Sequence, residues 1–249
     1  MEATKKFELT SEFKLIGSGV ELFRIKALKA FANVEAGDMG GFVEKEANLD
    51  QSGNAWISGN AQVFGNARVS GNAQVSDDAQ VSDDARVSDD AQVSGKAQVF
   101  GTAQVFENAR VFGEALVLSK AKVSGNAYVH GKAWVFGEAS VSEEANVCGN
   151  VMVCGEADVS GTAQVSERID IPGNARIRGS ADYAIIKGFG TRYRTTTFFR
   201  CKDDLIRVYC GCFYGTIAEF REQVERTREG KIVKEYLMVA DLMELHFAK

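Results

Sequence analysis

Three groups of residues in this 249-residue chain are of types that carry chemistry. The aspartate pairs Asp77-Asp78, Asp83-Asp84 and Asp89-Asp90 offer the carboxylate oxygens that a hard cation such as calcium takes. His130 is one of two histidines, and an imidazole beside a thiol can generate a nucleophilic thiolate. The thiols are Cys148, Cys154, Cys201, Cys210 and Cys212, and cysteines in such numbers are also the usual ligands of zinc. Finally, Lys187, Arg192, Arg194 and Arg200 alternate with Tyr193, Phe198 and Phe199. Basic and aromatic residues mixed on strands bind phosphates or single-stranded nucleic acid.

What these groups can do depends on the elements that hold them. Between Ala55 and Ala181 the chain repeats every six residues with no insertion or deletion, the unit reading Gly-Asn-Ala-x-Val-x. The aliphatic position runs from Ile57 through Val63 and Val69 to Ile171 and Ile177, which makes twenty-one hexads. In Ala-x-Val the two apolar residues are two apart, so on a strand both face one side and the residue between them faces the other. Gly-Asn, or the substitutes Asp-Asp, then supplies a corner, because these residues tolerate left-handed backbone angles. A strand this short cannot bury its apolar face alone. It must coil, so that each rung stacks on the next about 4.8 Å away.

Composition narrows the function classes. Glycine numbers 25 and proline one, Pro172, which excludes collagen and proline-rich disorder. No run of about 18 apolar residues exists, so no membrane-spanning helix is expected. The charged N-terminus lacks an apolar signal core, and with five cysteines the chain reads as a cytoplasmic protein with reduced thiols. Net charge is −2 over residues 1–54, −6 over 55–182 and +3 over 183–249, an acidic rod with a basic end piece.

The unit Val-x-Gly-Asn-Ala-x resembles the aliphatic-x-x-x-small-x motif of the hexapeptide-repeat, left-handed parallel β-helix superfamily. The resemblance implies the handedness and three hexads per triangular coil, hence about seven coils, roughly 34 Å of rod. Residues 18 apart then become axial neighbours, and the outward residues sort into three columns. One column, Arg68 to Arg176, is solvated and mildly basic; a second, Trp56 to Asp182, is mixed. The third becomes apolar at Leu116, Trp134 and Met152, beside a corner column with Phe100, Leu118, Phe136 and Cys154. An apolar patch of that extent reads as a subunit or partner interface, or as the seat of the chain's own C-terminal segment.

The same columns weigh the chemistry. The aspartate pairs fall on three different corners of one coil, about 15–20 Å apart, so they read as turn formers rather than a metal cage. His130 stacks between Phe112 and Cys148 with no carboxylate in its column to orient it, and the coils throw out no loops to shape a pocket. Cys148 and Cys154 occupy successive corners, too far apart for a disulfide. Cys210 and Cys212 alternate in phase with Val208, as on a strand with a buried apolar face.

The ends differ in kind. Residues 1–54 are expected to form a capping hairpin (Phe7 to Leu15, Val20 to Leu28) and an imperfect first coil from Gly40. Residues 183–249 are expected to form a ββαα unit, with strands at Thr195 to Arg200 and Leu205 to Phe213. A capping box at Thr216 to Glu219 opens its first helix, and Lys231 to Phe247 is the second. Gly40-Gly41-Phe42-Val43-Glu44, Asn54-Ala55-Trp56-Ile57, Cys210-Gly211-Cys212-Phe213 and Lys234-Glu235-Tyr236-Leu237 resemble bacterial and prophage hexapeptide-repeat proteins. Those proteins are labelled as transferases or as polymer-forming cytoskeletal proteins.

The leading expectation is a non-catalytic binding or assembly protein. It is read as a homo-oligomer (dimer or trimer), or as a rod that captures a host partner if its source is a phage or prophage. An acidic rod of this kind could imitate nucleic acid electrostatically. Two alternatives stand beside it. One is an acyltransferase of the hexapeptide class with His130 as base. The other is a nucleotide or small-ligand binder using Lys187, Arg192, Arg194 and Arg200. No cofactor or metal is expected.

Overall fold

The computed structural model describes residues 5–17, 19–190 and 193–248. Its body is a parallel β-solenoid of about eight turns. Each hexad contributes one two-residue strand, from β4 (Trp56–Ile57) to β24 (Arg176–Ile177). Strands pair in parallel with those 18 residues on, as Gln62 with Gln80 and Val63 with Val81, so three hexads make one turn. The ladder runs along the axis: the amides of Gln62, Phe64 and Asn66 donate to the carbonyls of Ala79, Val81 and Asp83. The amide of Ala67 donates to Phe64 O and closes the corner. Every alanine and valine of the repeat from Ala55 to Ala175 is buried, forming one continuous core.

The corners explain the Gly/Asp/Glu preference. The residue after each corner position has a positive φ, 65° at Gly125 and 60°, 58° and 57° at Asp77, Asp83 and Asp89. Glycine takes this without strain. A Cβ on Gly125 would lie 2.6 Å from Glu143 N, so there the close approach of the next coil adds a second reason. At five corners where an acid replaces glycine, its carboxylate reaches along the axis. Asp77, Asp83 and Asp89 accept from the amides of Gly95, Gly101 and Glu107, and Glu107 and Glu143 from those of Gly125 and Gly161. The hydrogen bond compensates for the unfavourable backbone region.

At the N-terminal end, β1 (Phe7–Leu15) and β2 (Glu21–Ala27) form an antiparallel hairpin, and β2 pairs with β3 (Met39–Val43). β3 in turn pairs in parallel with Gln62–Val63, and Leu49 bridges Val69, so an imperfect turn precedes the seven regular ones. Trp56, read as an outward residue, is covered: Phe31 packs edge-on against it at 5.4 Å, and it is 4% exposed.

At the C-terminal end the structure differs from the expected ββαα unit. Four strands form an antiparallel sheet, β25 (Tyr183–Phe189), β26 (Arg194–Arg200), β27 (Ile206–Cys210) and β28 (Phe213–Thr216). Helices α1 (Ile217–Thr227) and α2 (Lys231–Phe247) follow, α1 opening on the Thr216/Glu219 capping box. The two extra strands were hidden because β25 follows the last hexad directly and β28 is cut from β27 by a two-residue turn. The sheet lies between rod and helices. Phe199 and Cys201 join the solenoid core, whereas Phe198 and Val208 join Phe220, Val224, Tyr236 and Val239 of the helices. Ala175 bridges Cys201, so the sheet closes over the last turn.

Candidate interaction surface

The solenoid brings the apolar stripe together as the 18-residue spacing requires. Leu116 pairs with Trp134 and Trp134 with Met152 on successive turns of one face. Phe100, Leu118, Phe136 and Cys154 run beside them along the adjoining corner, all partly buried. Trp134 is 45% exposed, a large apolar side chain with no covering element. The C-terminal unit caps the end of the rod through Asn174, Ala175 and Arg176 and reaches the stripe's column at its last turns, where Tyr209 packs on the solenoid core close to Asp170 and Cys154.

Charged residues border the stripe on both sides. On one, Glu114 pairs with Lys132 at 3.4 Å; on the other, Lys120 pairs with Glu138 at 2.8 Å. All four side chains are more than half exposed. Mutual hydrogen bonding holds the Lys120 ammonium above its usual range and the Glu138 carboxyl below it.

Among the described residues, no carboxylate hydrogen-bonds to the catalytic candidate. His130 Nε2 lies 3.0 Å from Asn146 Oδ1, and its ring stacks flat on Phe112 at 4.6 Å. An amide partner orients the imidazole but, unlike the carboxylate of a catalytic triad, carries no charge. Among the described residues, no three His, Cys, Asp or Glu side chains converge closely enough to hold a metal ion. The second aspartate of each pair accepts from an amide one turn back, Asn60 to Asp78, Asn66 to Asp84 and Asn72 to Asp90. Cys212, expected on a buried strand face, is exposed in the turn between β27 and β28, where Gly211 has φ 65°. Cys210 is partly buried and accepts from Thr196 Oγ1, while burial pushes the Cys201 thiol up.

Among the described residues, the basic candidates have separate partners. Lys187 pairs with Glu167, and Arg200 with Asp182 at 3.3 Å while also donating to Phe247 O. Arg192 lies outside the described residues. Arg194 packs over Gly211 and lines a cleft of about 410 Å³ between the last turn and the sheet, with Arg168, Asp170, Thr197 and Tyr209. Burial holds the Asp170 carboxyl above its ordinary range there. Arg168 was read only as part of the rod; its approach to Arg194 depends on how the sheet docks, which no local pattern encodes.

No helix among the described residues is long and apolar enough to cross a membrane. Among curated proteins, none matches the chain. A family model described as YdcK Beta solenoid repeat matches residues 61–77 and 79–95, each segment spanning nearly one turn. Together with strands that pair in parallel turn upon turn, that match supports a repeat-built β-solenoid protein, similar over those segments to the YdcK repeat.

Proposed function

We propose that this protein is a non-catalytic binding and assembly protein, a hexapeptide-type β-solenoid rod that associates through the apolar stripe on one face. The observation that carries this reading is Trp134, 45% exposed between Leu116 and Met152 on one face of the rod. Monomeric proteins rarely leave contiguous apolar surface with a charged rim unless it is a contact site. The unbroken repeat favours the same reading, since loops are where solenoid surfaces acquire pockets, and the hexads leave no room for them. His130 supports it too, being held by Asn146 and Phe112 rather than by an acid. The test is Trp134→Glu. Loss of association, read as a fall in mass by light scattering, supports the proposal; an unchanged mass of an associated wild-type protein overturns it.

A second reading draws on the cleft of Arg168 and Arg194, whose cationic groups suit a small anion or a nucleotide phosphate. Calorimetry with inorganic phosphate and with a nucleotide, on wild type and Arg194→Ala, tests it: binding lost in the variant supports the cleft.

A further inference from the structure

The borders of the stripe say more than that it is a contact surface: they say what fits it. On the turn of Leu116 the flanking residues are Glu114 on one side and Lys120 on the other; on the turn of Trp134 they are Lys132 and Glu138. The sign therefore inverts both across the stripe and from one turn to the next. Each border is an ion pair aligned along the rod, Glu114 with Lys132 and Lys120 with Glu138, and the two run in opposite directions. A pattern of this kind is complementary to itself after a two-fold rotation. Isologous interfaces require that self-complementarity, and a contact with a different protein does not.

From this charge pattern we infer that the occupant of the stripe is a second copy of this chain, related by a two-fold axis between the turns of Leu116 and Trp134, with the two rods antiparallel. The inference rests on the stripe being a contact surface. In this arrangement Glu114 faces the partner's Lys132, Lys120 faces the partner's Glu138, and Leu116 lies against the partner's Trp134. A parallel pair also neutralises the four inner charges, by setting Glu114 against the partner's Lys120. One turn further out, Lys96 meets the partner's Asn150 or the partner's Thr102, and Glu156 the other of the two, uncharged in either arrangement; the charges two turns out decide between them. Asp78 stands two turns before Glu114, Asp84 lies across the stripe from it, and Arg168 stands two turns after Lys132. Parallel rods bring Asp78 onto the partner's Asp84 and place the two girdles of Asp77 to Asp90 at one height. Antiparallel rods bring Asp78 onto the partner's Arg168. They also set the acidic body near the basic C-terminal unit of the other copy. Like charges juxtaposed at an interface select against the wrong arrangement more strongly than correct pairs add affinity.

Charge swaps at these exposed positions test the inference without touching the core, with circular dichroism confirming the fold of each variant. Dimerisation is measured by sedimentation equilibrium over a concentration series on the full chain. Lys132→Glu sets like charges together twice and is expected to weaken the dimer about tenfold. The double variant Glu114→Lys/Lys132→Glu restores opposite signs only when the rods are antiparallel, and is expected to return to within about threefold of wild type. If the rods are parallel, the double variant is weaker than the single one, and the inference falls. A wild-type protein monomeric at all concentrations overturns the second-copy occupant while leaving the stripe as a surface for another partner. A dimer indifferent to Trp134→Glu overturns both.

Discussion

Lys6 is buried, with its ammonium donating to Ser52 O at 3.2 Å and Ala55 O at 2.9 Å and lying 5.1 Å from the Phe31 ring centroid. Burial lowers its pKa from 10.5 to about 8, opposed in part by Asp50. Between those values the unfolded chain binds a proton that the folded chain has released, so this residue makes stability rise with pH from about 8 to 10.5. The gain is of order 1–3 kcal/mol. Lys6→Met is expected to abolish that rise, measured as wild type minus variant in urea unfolding at pH 7.5 and 10. A difference independent of pH removes the account. None of this was legible in the sequence, where Lys6 is one of several N-terminal lysines; its surroundings come from Phe31, Ser52 and Ala55, 25 to 49 positions away. Trp56 escaped the column reading for the same reason, since its cover, Phe31, belongs to no repeat.

At the scale of the element, the corner is where the repeat carries most information. Gly125 and Asp77 solve the same backbone problem in different ways, one by lacking a Cβ and the other by adding a hydrogen bond to Gly95 N at 2.9 Å. Gly125→Ala is expected to cost about 2 kcal/mol or more, because the added methyl meets Glu143 N and φ remains positive. Asp77→Ala is expected to cost about 1–2 kcal/mol, keeping the strained φ and losing the hydrogen bond. Asp77→Gly exchanges one solution for the other and is expected to fall within about 1 kcal/mol of wild type. Chemical unfolding of the three variants checks this order, and an equal cost for Asp77→Ala and Asp77→Gly would remove the corner account. The sequence showed that Asp-Asp stands where Gly-Asn does. It did not show the carboxylates reaching to the next turn, because that contact joins residues 18 apart through a side chain. The C-terminal sheet was half legible: alternation marked β26 and β27, but β25 and β28 carry no turn signal long enough to separate them from what precedes.

At the scale of the whole molecule, every turn touches only its neighbours, and stability accumulates along one dimension. The rod tolerates changes of length that respect the repeat. Deleting Ala67–Asp84, one whole turn, is expected to leave a folded protein whose stripe remains on one face and whose self-association persists. Deleting the six residues Ala121–Asn126 is expected to leave a folded protein too, since each strand still finds a partner 18 residues on. It moves Trp134 to a different face from Leu116, and association is expected to disappear. Circular dichroism and light scattering on the two deletions check both statements, and association retained by the six-residue deletion would exclude a continuous stripe as the contact. The pairing of residue with residue eighteen places on has a consequence for geometry as well. One turn is three hexads, so each hexad gained or lost turns the C-terminal sheet and helices by about 120° around the rod axis relative to the N-terminal hairpin. The two ends of this protein can thus adopt only three mutual azimuths, and growth by single hexads steps through them in order, independently of what the rod gains in length.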